Sequence, residues 1–90
     1  MPLFYFHLHD RFGSVPDPEA RELADLEVVR AQALKGARSI ISEDVGYGRI
    51  DLTGRIDVRD EAGELVLSLP FRDAVELVLD EDGDGRTSPQ

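Results

Sequence analysis

Two histidines, His7 and His9, are the side chains of this chain best placed to do chemistry, and Asp10 follows them directly. On an extended segment a His-x-His spacing aims both imidazoles to one side, as a zinc or iron site needs from a single strand. A third and fourth ligand would have to come from Asp57, or another acid, on the outer face of a neighbouring strand. The plainer reading is a pair of half-exposed strand residues, with His7 hydrogen-bonded to hold an edge. Motifs this short recur by chance, so no metal is assigned. A small metal-dependent hydrolase using His7 and His9 stands as the enzyme alternative.

The remaining patterns carry less. Asp80-Glu81-Asp82-Gly83-Asp84-Gly85 sets acids at positions 1, 3 and 5 and glycine at 6, like the start of a calcium loop. The bidentate Glu required at position 12 would fall after Gln90, so the segment is read as a decoy. Gly46-Tyr47-Gly48 lacks the third glycine of a dinucleotide loop, because Asp51 stands in its place, and it follows a helix instead of opening one. There is no Gly-x-Ser-x-Gly elbow and no phosphate loop. Cysteine is absent, which removes disulfides, thiolate ligands and thiol nucleophiles. In a chain with 19 acids, carboxylate pairing by itself identifies no catalytic residue. A domain this small also leaves little room for a pocket of several hundred Å³. The expectation is no enzyme and no cofactor.

Charge narrows the partners. The 90 residues carry 19 acidic and 10 basic side chains, a formal net charge of −9, which repels phosphate backbones and anionic membranes alike. Neither nucleic acid nor membrane is expected, and the charge reads first as a solubility device. An acidic surface made to meet a basic partner is the sharper alternative. No apolar run approaches membrane-helix length, and the opening residues lack the basic region and cleavage site of a signal peptide, so a cytoplasmic address is expected.

These residues need elements to hold them. Residues 3–9 alternate strictly, with Phe4, Phe6 and Leu8 on one face and Leu3, Tyr5, His7 and His9 on the other, which predicts a strand. Residues 12–16 can form a short return strand, and Asp17-Pro18-Glu19-Ala20 suits a type I turn. Asp25 caps a helix running to about residue 43, whose stripe is Leu26, Val29, Ala33, Ala37, Ile40 and Ile41. Residues 49–54 connect it to a hairpin, with Ile56 and Val58 inward on one arm and Leu65, Leu67, Leu69 and Phe71 inward on the other. Residues 71–79 fit a strand or a short helix after Pro70, and the helix is favoured. The result is an α+β fold: a small antiparallel sheet of three to four strands, ββαββ-like, with one long helix on one face. Residues 1–79 form a single domain and 80–90 an acidic flexible tail.

Several stretches resemble one family when taken in order. They are Phe4-Tyr5-Phe6-His7-Leu8-His9-Asp10, Asp17-Pro18-Glu19, Glu22-Leu23-Ala24-Asp25-Leu26-Glu27, Asp60-Glu61-Ala62-Gly63 and Leu69-Pro70-Phe71-Arg72-Asp73-Ala74-Val75. The family consists of small, stand-alone bacterial proteins catalogued as a domain of unknown function, and the likeness runs over about residues 2–78. Ala20 stands where the family tends to have Gly. The resemblance implies a compact α+β fold in the bacterial cytoplasm and carries over no catalytic residue.

The sheet face turned away from the helix is the candidate interaction surface. It gathers Leu3, Tyr5, His7 and His9 from the first strand, Arg55 and Arg59 from the second hairpin arm, and Val66 from its partner. Aromatic, His and Arg groups on a sheet suit a protein interface. The expected function is a non-enzymatic interaction or regulatory module with a protein partner, or a homodimer through the sheet. An antitoxin-like partner of the HicB type is the runner-up, although the DNA-binding element such proteins usually append is missing here.

Overall fold

A computed structural model describes residues 2–16 and 19–80. In chain order they form β1 (Leu3–Asp10), β2 (Gly13–Val15), β3 (Arg21–Glu22), α1 (Leu26–Gly46), β4 (Arg55–Asp60), β5 (Leu65–Pro70) and a 3₁₀ turn (Phe71–Asp73). The sheet order is β2-β1-β4-β5, and every pairing is antiparallel. With β4 along one side of β1, β2 and β3 share the other, β2 at its C-terminal end and β3 at its N-terminal end. The α+β reading holds. The sequence pattern misses β3, a two-residue strand too short to show a period. The turn at Asp17 and Pro18, the acidic segment 81–90 and most of the calcium-like run lie outside the described residues.

The helix starts where the cap predicts. The Asp25 carboxylate accepts from the Val28 N–H at 3.0 Å, a cap of the kind worth about 1 kcal/mol. Val29, Ala33, Ala37 and Ile41, four residues apart, form its buried row. Opposite them lie Phe4 and Phe6 of β1, Ile56 and Val58 of β4, and Leu69 of β5, with Phe71 and Ala74 closing one end. The two alanines let the helix lie close to the sheet.

Two expected core residues are not in the core. Leu26 is 56 % exposed. Twenty-one helical residues span about 31 Å and the six of β4 about 20 Å, so the helix overhangs the sheet and its first turn faces solvent. Leu65 is 49 % exposed because β5 carries a bulge. Val58 pairs with Leu67, yet Arg59 pairs with Leu65, leaving Val66 as the extra residue. The insertion ends the simple alternation, turning Leu65 to the face of Arg59. Strict period two had placed it inward.

Past β5 the helical expectation is met by one turn only. The Phe71 N–H donates to the Gly54 carbonyl at 2.9 Å, which tucks the Phe71 ring against Gly54. A Cβ on Gly54 would stand 2.9 Å from that ring and 3.1 Å from the His9 carbonyl oxygen, so only glycine fits. Arg38 holds the turn from the helix by donating to the Ala74 carbonyl at 2.6 Å. Beyond it Leu77, Val78 and Leu79 are exposed.

Candidate functional site

Helix α1 covers one face of the sheet; among the described residues no element covers the other. Cross-strand pairing brings the polar residues of this open face into rows: Tyr5 opposite Arg59, His7 opposite Asp57, and His9 opposite Arg55. On the outer sides, Ser14 of β2 faces His9, and Ser68 of β5 faces Asp57. Six of the seven residues expected on this surface therefore share it, namely Leu3, Tyr5, His7, His9, Arg55 and Arg59. Val66 differs. As the bulge residue it is partly buried and packs against the core.

Asp57 is the organising group. It is 4 % exposed although no described element lies over it. Its Oδ1 accepts from the Ser68 hydroxyl at 2.6 Å and from Arg55 Nε at 3.1 Å, while Oδ2 lies 3.2 Å from the same Nε. His9 Nε2 stands 3.4 Å from Oδ2. Burial is the largest influence on this carboxyl and raises its pKa, but Ser68, Arg55 and His9 together outweigh it. The group is held below its ordinary 3.8 and stays ionised at neutral pH.

His9 also reaches the other way, its Nδ1 lying 2.7 Å from the Ser14 hydroxyl oxygen. Ser14, His9, Asp57 and Ser68 thus form one polar chain across β2, β1, β4 and β5. Neither serine is legible as a site residue in the sequence, and both join it through strand register. Asp10 has a separate role, accepting from the Phe12 N–H at 2.8 Å to close the β1–β2 turn. Arg59 shares the face but does not join the Asp57 cluster. It donates instead to the Gly63 carbonyl at 3.0 Å, in the β4–β5 turn where Gly63 takes φ +84°.

Among the described residues, no three His, Asp or Glu side chains are grouped so as to hold a metal ion. A cleft of about 160 Å³ lies on the opposite, helix-covered side, between Phe6, Leu8 and Ile56 of the sheet and Gln32, Gly36 and Ile40 of α1. It is smaller than the usual small-molecule site. No described helix is long and apolar enough to cross a membrane.

The family model for the domain of unknown function DUF6894 matches residues 3–72. The chain belongs to this family. The matched stretch runs from the first residue of β1 into the 3₁₀ turn, so the whole Ser14–His9–Asp57–Ser68 chain lies inside the DUF6894 region. Leu77, Val78 and Leu79 fall beyond it. No curated protein and no solved structure matches the chain. DUF6894 membership fixes relationship and leaves function to the geometry.

Proposed function

We propose that this chain is a protein-interaction module that binds through the open face of its sheet. One observation carries the reading: Asp57 is buried on a face that no described element covers. A merely solvated face leaves its acids in water. Here Arg55, His9 and Ser68 enclose the carboxylate, which fixes their own positions as well. A surface ordered in advance loses less side-chain entropy on binding. Around this cluster lie Tyr5, His7 and Arg59, the aromatic and basic groups that suit an interface centre.

With Arg55 and His9 on the buried acid and Arg59 and His7 beside it, the face favours a partner that presents carboxylates. The test is affinity capture with the wild-type chain against Arg59→Glu, captured proteins being identified by mass spectrometry and both baits checked for equal melting temperature. Capture lost on charge reversal supports the face as the site. Identical capture by both baits, or by a Tyr5→Ala, Arg59→Glu double variant, rules the face out. Light scattering on the purified chain shows whether the partner is a second copy.

A further inference from the structure

The polar chain on the open face has one end that a binding surface does not require. Ser14 is exposed on β2, with its hydroxyl 2.7 Å from His9 Nδ1, and His9 presents Nε2 to the buried carboxylate of Asp57 at 3.4 Å. An ionised carboxylate can only accept, so the imidazole tautomer that suits it carries its proton on Nε2. Nδ1 is then left as a lone pair aimed at the Ser14 hydroxyl, which donates to it. A hydroxyl bonded to an imidazole that is itself oriented by a buried acid is the arrangement that activates serine. The ring is reversed relative to the familiar protease order, with Nδ1 on the serine side, but the roles of the two nitrogens are interchangeable.

We propose that Ser14 is an activated nucleophile and accepts an acyl group from a thioester or an activated oxygen ester. In the transfer, Ser14 Oγ bonds to the acyl carbon and the bond from that carbon to the leaving sulfur or oxygen breaks. The Ser14 proton passes to His9 Nδ1 and then to the leaving thiolate or phenolate, leaving an acyl ester on Ser14 and no change in oxidation state. Ser68 is the natural comparison. Its hydroxyl at 2.6 Å donates directly to Asp57, a carboxylate held below its ordinary range and therefore a weak base. The open face offers the acyl group no enclosing wall, so the outcome is a single acylation of the surface instead of turnover. This goes beyond the interaction reading and does not depend on it.

The test is incubation of the full chain with p-nitrophenyl acetate, following nitrophenolate release and locating the acetyl group by peptide mass spectrometry. One equivalent on Ser14 is expected, with the exposed helix serines Ser39 and Ser42 and with Ser68 unmodified. His9→Gln should slow acylation by about 10²-fold or more. Asp57→Asn should also slow acylation, because the side-chain amide no longer fixes the tautomer that leaves Nδ1 free to accept the Ser14 proton. Equal labelling of Ser14, Ser39 and Ser42 within the one wild-type molecule overturns the proposal without any variant. Nitrophenolate release that persists at full rate in Ser14→Ala also overturns it, since the imidazole would then be attacking the ester itself. An unchanged rate in His9→Gln or in Asp57→Asn does the same.

Discussion

Ile56, Asp57 and Val58 follow one another on β4, and all three are buried, yet water is kept from them in different ways. Ile56 and Val58 point to the helix and are covered by hydrocarbon: Phe6, Leu69 and the row from Val29 to Ile41. Asp57 points to the open face and is covered by side chains whose own polar atoms bind it. The first kind of burial is non-directional and scales with area, so it tolerates reshaping. The second works only while each partner keeps its place, and the loss of one partner exposes the others. The sheet therefore has a robust face and a conditional one. Function is sought on the conditional face because that is where a partner, a proton or a substitution can change the arrangement.

The largest expected effect is on the robust face. Phe6 is buried against the helix with the Arg21 guanidinium 4.8 Å above its ring. Phe6→Ala should cost about 3–5 kcal/mol in urea titration, a large share of the stability of a domain this size. A loss below about 1 kcal/mol would show that the inner face does not hold the fold together.

Asp57→Ala comes next, at about 1–3 kcal/mol, the range for removing one partner of a buried hydrogen-bonded set. Arg55 is half exposed and Ser68 exposed, so water can reach both and the lower half of that range is expected. A double-mutant cycle with Ser68→Ala sharpens the contrast. Coupling above about 0.5 kcal/mol supports a cooperative cluster, and strict additivity reduces the face to unconnected contacts.

Acid should act on the same residue more gently. The Asp57 carboxyl is depressed in the folded chain, so its contribution is fully present above its ordinary 3.8 and is lost as pH falls through the lower folded value. The half-buried Asp51 shifts in the same direction, chiefly through its bond from the Thr53 hydroxyl at 2.6 Å. Stability should therefore decline below about pH 4, and Asp57→Asn should flatten the decline without abolishing it. Equal acid slopes in wild type and variant would remove Asp57 as a source of that dependence.

The two faces also differ in how far the sequence reveals them. Alternation marks Phe4, Phe6 and Leu8 as one face because hydrophobic burial writes itself as a period. The N-cap at Asp25 and the spacing of four through α1 are equally local signals. The bulge at Val66 is not, since two leucines in step look the same whether or not an extra residue lies between their pairs. The polar cluster is harder still. The open-face row of β1 and β4 could be read from alternation, but Ser14 and Ser68 enter only through the registers of β2 and β5, set by Gly13 at φ +134° and by the bulge. Nothing in their own neighbourhoods distinguishes them from other exposed serines.

The smallest expected effect separates the two histidines, which the sequence presents as a pair. His7 lies directly opposite Asp57 in the ladder, but it is His9, one step along the face, whose ring reaches the carboxylate and whose other nitrogen meets Ser14. His9→Ala should cost about 0.5–1.5 kcal/mol, the usual net worth of the hydrogen bond it gives up. It should also loosen the three-residue β2, so amide exchange at Gly13–Val15 should accelerate while exchange in α1 does not change. His7→Ala touches none of these contacts and should stay within about 0.5 kcal/mol of wild type. Equal losses from the two substitutions, or a larger one from His7, would mean that ladder position rather than the Asp57 cluster decides what an outer-face histidine does, and the contrast between robust and conditional faces would lose its sharpest case.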